Sequence, residues 1–155
     1  MLYLDSSILV KRYAREEGSD RVLERFHKGE RIFTSAISYA EVLSALGRKL
    51  RDRELSQAEF ETETDRFALH WAKFLNVLPV DTKTMSYVKD LLKKHSLKAA
   101  DAIQLSAALW LRDTYRFRRG LRQGDTGIEF GAADESLARI ALEFGLAVFN
   151  PEERD

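Results

Sequence analysis

The sequence contains no cysteine, only two prolines and no long hydrophobic run. Without cysteine, a disulfide scaffold, a thiolate metal site and a cysteine nucleophile are all excluded. The longest strictly apolar run is residues 107–111, far short of the roughly 20 residues that span a bilayer. No secretory signal pattern precedes the first predicted strand. We therefore expect a protein of the cytoplasm that makes no use of a membrane.

Net charge is also lacking, because 25 basic and 25 acidic residues cancel to zero. This balance excludes a strongly basic nucleic-acid module, although it allows a local basic patch. Hydrophobic residues make up 45% of the chain, which is too many for a disordered protein. The 155 residues contain no linker-like stretch, so the sequence predicts a single domain over residues 1–155.

Several sequence motifs of common enzyme classes are missing. There is no G-x-G-x-x-G and no G-x-x-x-x-G-K, which excludes a dinucleotide fold and a P-loop. There is no G-x-S-x-G, which argues against a serine hydrolase.

Short apolar strands alternate with helices along the chain. Strands are predicted at 2–4, 31–34, 77–80, 128–133 and 147–150. Helices are predicted at 8–13, 38–50, from Ser56 onward, after Asp81, from Ser96 to about 115, and at 135–144. Capping-box patterns at Ser38–Glu41 and Ser56–Glu59 mark two of the helix starts. This alternation predicts an α/β fold in which a parallel sheet of about five strands has helices on both faces.

Four acidic residues fall where such a sheet binds its ligands. Asp5 and Asp134 directly follow the first and fourth strands, Glu41 lies in the helix after the second strand, and Asp101 lies near a helix start. The carboxyl ends of parallel strands share one edge of the sheet, so these acids should converge there. Converging carboxylates repel each other, and a hard divalent cation such as Mg²⁺ or Mn²⁺ removes that repulsion.

Each acid also has a purely structural explanation. Asp5 could begin a turn, Glu41 could complete a capping box, and Asp134 could cap a helix. Asp101 stands on a helix that is apolar nearly all round, so an unpartnered charge there would be costly. Arg112, farther along the same side of that helix, is the alternative partner for Asp101.

Weaker candidates surround the acids. Ser7 and Thr34 are placed to support the site, although each could equally serve only as a cap or a strand end. Five arginines crowd the segment 112–122, and they could hold RNA phosphates or form a solvated surface. These are Arg112, Arg116, Arg118, Arg119 and Arg122.

Three segments together resemble the PIN-domain ribonucleases, specifically the VapC toxins of toxin–antitoxin pairs. They are residues 2–13 (LYLDSSILVKRY), 34–41 (TSAISYAE) and 97–105 (LKAADAIQL). The C-terminal segment 132–138 (AADESLA), followed by Gly145 and Asn150-Pro151, resembles the end of the same family. The resemblance implies a three-layer α/β/α fold, with the family's acidic quartet at Asp5, Glu41, Asp101 and Asp134 and its supporting hydroxyl at Ser7.

The resemblance also implies a function. The implied function is that of an Mg²⁺- or Mn²⁺-dependent endoribonuclease that uses a metal-activated water, with Asp5 and Asp101 as the principal metal ligands. The resemblance implies a homodimer and a VapB-type antitoxin that inserts a segment at the acidic groove, where an antitoxin arginine could stand in for the metal charge. The 33 residues from Asp101 to Asp134 exceed the usual family span, which predicts an inserted loop around 118–127.

Two other functions remain open from the residues alone. One is a PIN-fold module that binds RNA or protein without cutting. The other is a metal-dependent phosphatase that acts on small substrates.

Overall fold

The computed structural model describes residues 1–120 and 127–153. Five strands and seven helices make up this part of the chain. The strands are β1 (Leu2–Leu4), β2 (Ile32–Ser35), β3 (Asn76–Leu78), β4 (Glu129–Gly131) and β5 (Ala147–Phe149). The helices are α1 (Ser6–Tyr13), α2 (Ser19–His27), α3 (Ile37–Arg51), α4 (Gln57–Lys73), α5 (Val88–Lys94), α6 (Ala99–Arg119) and α7 (Glu135–Glu143).

The five strands form one parallel sheet in the order β3-β2-β1-β4-β5. β1 lies at the centre, where Tyr3 pairs in register with Phe33 on one side and Phe130 on the other. The predicted α/β class with a five-stranded parallel sheet is therefore confirmed. β1 has its predicted bounds, and the bounds of the other strands differ from the predicted ones by at most two residues, as is common at strand ends.

Alternation along β1 divides the core between the two faces of the sheet. Leu2 and Leu4 pack in a cluster with side chains of α1 to α4. Tyr3 points to the opposite face and packs with side chains of α5, α6 and α7. This period-two pattern places helices on both faces, so the predicted three-layer arrangement is confirmed.

The residues at which helices begin were predicted less accurately than the presence of the helices. The capping box at Ser56 is present, with its side chain and that of Glu59 bonding reciprocally to the backbone. The capping box at Ser38 is wrong, because α3 begins at Ile37 and the Ser38 hydroxyl is buried against other side chains. Ser96 is also not a cap, since Lys98 holds that position for α6.

Two further helix predictions need correction. Asp81 accepts backbone hydrogen bonds from Lys83 and Thr84, so it closes a turn, and α5 begins only at Val88. Helix α2 was not predicted at all. Its first residue follows Gly18, whose φ of 80° is a left-handed conformation that favours glycine.

Helix α6 continues beyond its predicted end to Arg119, where Gly120 terminates it with a φ of 61°. Arg118 and Arg119 therefore belong to the helix and not to an inserted loop. Residues 121–126 of that predicted loop, including Arg122 and Gly124, lie outside the described part of the chain. No helix among the described residues is long and apolar enough to cross a membrane.

A chain of ion pairs joins the C-terminal segment to the first helices. The buried Lys11 ammonium lies 2.5 Å from a Glu152 carboxylate oxygen and 3.2 Å from one of Glu16. Lys49, at the end of α3, lies 3.1 Å from Glu16 and 2.9 Å from Glu54. These contacts close one end of the cleft described below.

Candidate active site at the carboxyl edge of the sheet

Asp5 leaves β1 at the carboxyl edge of the sheet and caps α1. Its carboxylate oxygen Oδ1 accepts a hydrogen bond of 3.2 Å from the Ile8 amide and one of 2.5 Å from the Ser7 hydroxyl. Its own amide donates to the Gly131 carbonyl at 3.0 Å, which extends the pairing of β1 with β4. The residue is thus fixed by backbone on both sides.

Ser7 connects the ends of two neighbouring strands. Its hydroxyl donates to Asp5 and accepts a hydrogen bond of 3.1 Å from the Ala133 amide, just beyond β4. A serine at this position therefore orients the Asp5 carboxylate relative to the fourth strand. This is the supporting position that the sequence predicted for Ser7.

The environment of Asp5 disfavours its charge. The residue is 5% exposed, and burial raises the pKa of its carboxyl to about 7. The hydrogen bonds from Ser7 and Ile8 act in the opposite direction, and the nearby Glu41 charge adds to the increase. No lysine or arginine side chain in the described chain hydrogen-bonds to Asp5. The site thus holds a buried acid without a protein cation.

Glu41 lies in the second turn of α3 and is half-buried. The buried side-chain amide of Gln104 donates a hydrogen bond of 2.9 Å to its carboxylate and one of 2.7 Å to the Ser38 hydroxyl. The Gln104 oxygen in turn accepts a hydrogen bond of 2.8 Å from the hydroxyl of Tyr3. A polar chain therefore runs from the central strand through α6 to Glu41.

Thr34 belongs to the same buried network and does not face the cleft. Its hydroxyl donates to the Leu4 carbonyl at 2.8 Å and lies 2.7 Å from the Ser38 hydroxyl. It thereby ties the end of β2 to the end of β1. Its support of the site is indirect, through the strand ends and Ser38.

Gln104 was not among the residues selected from the sequence. Its signal is an amide between two apolar neighbours, three residues after Asp101, in a segment (99–111) whose only other polar residues are Asp101 and Ser106. A buried amide requires hydrogen-bond partners, so a glutamine in such a helix indicates a polar network. At 1% exposure, Gln104 is such a case.

Asp101 and Asp134 approach the same edge from helix N-termini. Asp101 lies in the first turn of α6, and Asp134 caps α7 by accepting a hydrogen bond of 2.8 Å from the Leu137 amide. Burial raises the pKa of Asp101, the Lys98 charge lowers it, and the charges of Asp134 and Glu41 raise it again. The charge of Glu41 thus acts on both Asp5 and Asp101, and the charge of Asp134 acts on Asp101.

A structural role is present for Asp5 and Asp134, which are helix caps, but not for Glu41, whose predicted capping box is absent. Asp101 is an N-terminal helix acid, and a hydrogen bond from the Lys98 backbone partly offsets the increase in its pKa that burial causes. Arg112 is not the partner of Asp101. Its guanidinium donates to the Phe144 carbonyl and, at 2.7 Å, to Asp113.

The arginine run lies away from the acids. The helical rise of 1.5 Å per residue places Arg118 and Arg119 roughly 26 Å along α6 from Asp101. Arg112 is buried, and Arg116 lies 3.9 Å from Asp113. None of these four side chains lines the cleft at the carboxyl edge.

An open cleft of about 770 Å³ runs beside the acids. Ser7, Glu41 and Ala133 line it near the strand ends, and one face of α3 forms a wall. Its basic residues are Lys11, Arg48, Lys49 and Lys98. A cleft of this shape and size admits an extended chain molecule as well as a small ligand.

The donor chemistry of the acids fits a hard divalent cation. Every side-chain donor is a carboxylate or hydroxyl oxygen, and burial, the largest cause of the raised pKa values of Asp5 and Asp101, disfavours their charged forms in the absence of a cation. Within residues 1–120 and 127–153, no three acidic or histidine side chains already have the mutual spacing of a metal-ligand set. The structure therefore provides oxygen ligands and buried carboxylates whose charge a cation would stabilise. Their side chains do not already form a complete coordination site.

Comparison with known proteins agrees with this arrangement. A family model described as PIN domain matches residues 2–115, a span that contains Asp5, Glu41 and Asp101 but not Asp134. Ribonuclease VapC45 of Mycobacterium tuberculosis (strain CDC 1551 / Oshkosh) is 29% identical over 115 residues. That alignment covers 73% of this chain and 78% of the relative.

Solved structures share the fold at low sequence identity. FitAcB from Neisseria gonorrhoeae matches with a TM-score of 0.67 and 17% identity, over 99% of this chain and 100% of that one. A toxin-antitoxin complex from Klebsiella pneumoniae matches with a TM-score of 0.62 and 17% identity, over 99% and 100% of the two chains. The three-layer architecture around the acids is thus a shared one.

Proposed function

The chain belongs to the PIN domain family, and from this premise we propose that it is a metal-dependent endoribonuclease and the toxin of a VapBC-type toxin–antitoxin pair. It would hydrolyse RNA phosphodiester bonds with a water activated by Mg²⁺ or Mn²⁺. The relative named a ribonuclease supports the activity. PIN-domain nucleases of the VapC type generally depend on a divalent metal, which supports the cofactor.

One observation carries the proposal furthest. Asp5 is a buried acid with a pKa raised to about 7, beside Glu41, and no lysine or arginine side chain of residues 1–120 and 127–153 is hydrogen-bonded to it. A residue that served only as a helix cap would not need a carboxylate in that position. An asparagine accepts the same hydrogen bonds without the cost of a buried charge. A divalent cation explains why an acid stands there.

The roles of the acids follow from their positions. Asp5 and Asp101, whose pKa values are both raised, are the proposed principal ligands, and Glu41 and Asp134 complete the set. When bound, the cation lowers the pKa of a water molecule and stabilises charge on the phosphate and the leaving oxygen. Glu41, held by Gln104, and Asp101 are the carboxylates available to orient the attacking water.

The proposed partners are an RNA substrate, a VapB-type antitoxin and a second copy of this chain. The toxin-antitoxin complex from Klebsiella pneumoniae, which shares the fold, supports the antitoxin. The homodimer follows from the family resemblance, and a molar mass measured in solution by light scattering tests it directly.

Cleavage of a pooled structured RNA by the purified protein tests the activity. We expect cleavage with Mn²⁺, none with a chelator, and none for Asp101→Asn. Asp65→Asn is the matched control, because Asp65 is an exposed aspartate on α4 that does not line the cleft. Its cleavage should equal that of the wild type.

The variant must also remain folded. Asp101→Asn removes one charge from a repelling group, so its melting temperature in chelator should equal or exceed that of the wild type. Cleavage that persists in chelator, or in Asp101→Asn with Mn²⁺, would contradict the proposed metal site. A folded wild type that binds Mn²⁺ yet hydrolyses only a small phosphomonoester would favour the phosphatase instead.

A further inference from the structure

We propose that Arg48, together with Lys98, binds backbone phosphates of the RNA strand on one side of the bond that is cut. The inference rests on the proposed ribonuclease function and assigns a phosphate subsite to the cleft wall formed by α3. It moves the expected RNA contacts away from the arginines at the end of α6.

The wall is a single stripe of one helix. Glu41, Ser44, Ala45 and Arg48 all line the cleft, at positions that fall on one face of α3. Seven residues separate Glu41 from Arg48, which is close to two helical turns and about 10 Å along the axis. The stripe therefore carries a candidate metal ligand at one end and a guanidinium at the other.

That distance suits a nucleic acid strand. Phosphates advance about 3.4 Å each along a stacked strand, so 10 Å corresponds to roughly three nucleotides, and to fewer when the strand is extended. A strand whose scissile phosphate lies at the acids and which follows α3 thus brings a flanking phosphate to Arg48. Ser44 is exposed between them and presents a hydroxyl to the same path.

The other basic side chains near Arg48 are already neutralised. Lys11 is held by Glu16, Glu152 and the Glu17 carbonyl. Lys49 is held between Glu16 and Glu54. Neither ammonium has charge to offer a phosphate without breaking these contacts.

Arg48 differs from both lysines. It is exposed, and its guanidinium makes no hydrogen bond or ion pair within residues 1–120 and 127–153. A guanidinium presents several donors in a plane and binds phosphate oxygens in pairs, which suits it to backbone recognition. Arg48 is thus the basic residue of α3 that lines the cleft and whose charge no acidic side chain of the described residues neutralises.

Lys98 provides a cation at the acidic end. It is exposed, lines the cleft at the N-terminus of α6 and lowers the pKa of Asp101 by its charge. A strand that contacts both Lys98 and Arg48 would be held near Asp101 and again about two helical turns beyond Glu41. Two phosphate contacts so placed fix the direction of the strand across the acids.

The test compares Arg48→Ala with Arg51→Ala. Arg51 is an exposed arginine on the same helix, one turn farther on, that does not line the cleft. Wild-type cleavage of the RNA pool in Mn²⁺ is measured first. Binding of a labelled single-stranded RNA is then measured by fluorescence anisotropy over a series of salt concentrations, with every variant in an Asp101→Asn background.

We expect Arg48→Ala to weaken binding about 5- to 10-fold at low salt and to reduce the slope of log K against log[salt] by about 0.7, the value for one lost contact to a single strand. Arg48→Lys keeps the charge and should retain the slope. Arg51→Ala should match the parent in both measurements. A scan of the RNA with single neutral methylphosphonates should find one position whose effect disappears in Arg48→Ala.

The failure of this inference is distinct from the failure of the proposed function. If the wild type cleaves RNA but Arg48→Ala matches Arg51→Ala in affinity and slope, the phosphate subsite is wrong and the stripe is left as a surface for a protein partner. If the wild type neither binds nor cleaves the RNA pool, both the subsite and the ribonuclease activity are overturned.

Discussion

The side-chain amide of Gln104 donates a hydrogen bond of 2.9 Å to the carboxylate of Glu41, across 63 residues of sequence. The same amide is fixed from behind by the Tyr3 hydroxyl, because Gln104 is the acceptor of that hydrogen bond. Burial and the charges of Asp5 and Glu41 raise the pKa of Tyr3, so the phenol remains a donor at neutral pH. The position of Glu41 is therefore set by the central strand.

Replacing Gln104 by leucine should destabilise the protein. The substitution leaves the Tyr3 hydroxyl, the Ser38 hydroxyl and the Glu41 carboxylate without this partner, and stranded buried polar groups cost about 1–3 kcal/mol. We expect the free energy of unfolding, measured by urea denaturation, to fall by that amount.

Tyr3→Phe provides the control for Gln104→Leu, since it removes only the hydroxyl. In a double-mutant cycle the two losses should be less than additive, because both substitutions disrupt the same chain of hydrogen bonds. Fully additive losses would show that Tyr3 and Gln104 act independently.

Replacing Asp5 by asparagine should stabilise the metal-free protein at neutral and higher pH. Because the pKa of Asp5 is about 7 in the fold and 3.8 in the reference state, the folded protein retains a proton that the unfolded chain releases between those values. Wild-type stability from this group is therefore fully present below about pH 4, decreases up to about pH 7 and is constant above. The loss is on the order of 4 kcal/mol.

Unfolding of wild type and Asp5→Asn in chelator at pH 4, 6 and 8 measures this effect. The stability advantage of the variant should grow with pH and level off above 7. An advantage that shrinks as pH rises would show that the fold favours the charged form of Asp5. Mn²⁺ should raise the melting temperature of the wild type more than that of Asp5→Asn.

Replacing Lys11 by methionine should loosen the closed end of the cleft. The ammonium of Lys11 is 4% exposed and joins Glu16 to Glu152, so its removal leaves two carboxylates repelling each other. Breaking buried pairs costs about 3–5 kcal/mol, and partial exposure of the two acids reduces this to about 2 kcal/mol. Thermal denaturation and the rate of proteolysis near residue 152 report the change.

Lys28→Met is the matched control for Lys11→Met. Lys28 pairs with Glu24 one turn away, and both side chains are more than half exposed. Such surface pairs contribute little to stability, so Lys28→Met should lose less stability than Lys11→Met. Equal losses for the two variants would show that the Lys11 network adds nothing beyond a surface pair.

Gly18→Ala should cost more stability than Gly29→Ala. Both glycines have positive φ, 80° and 67°, so alanine pays a similar backbone penalty of about 1 kcal/mol at each. A Cβ at Gly18 would also lie 2.9 Å from the Pro151 side chain, whereas nothing lies within 4 Å at Gly29. The difference between their unfolding free energies therefore measures how firmly the C-terminal segment is held, and equal values would indicate that it yields freely.

The sequence predicted the fold and the acids well because both depend on local signals. An apolar strand followed by an aspartate is visible within a few residues, as at Asp5 and Asp134. Ser38 was misassigned because its local pattern is misleading: a serine three residues before a glutamate is also the pattern of a capping box. Its actual partners, Thr34 and Gln104, lie 4 and 66 residues away, and the second contact exists only after α6 packs on the sheet.

The arginines of residues 112–122 also show that local sequence signals do not predict which residues meet in the fold. Their crowding between 112 and 122 is conspicuous in the sequence, but the four that the structure describes lie on α6, which runs away from the acids. Arg48 is unremarkable in sequence, and its place in the cleft depends on the register of α3 with respect to Glu41. The direction of a helix from the sheet edge, which composition does not encode, decides which basic residues lie near the site.

The strand order has a consequence for the newly made chain. β1 is synthesised first but lies between β2 and β4, and its partner on one side begins only at residue 129. Asp5 and Ser7 obtain their bonds to Gly131 and Ala133 only once that strand has been made. A growing polypeptide therefore carries Asp5 without these bonds until β4 has also been made, and the capacity for hydrolysis that we propose would appear only once β4 pairs with β1.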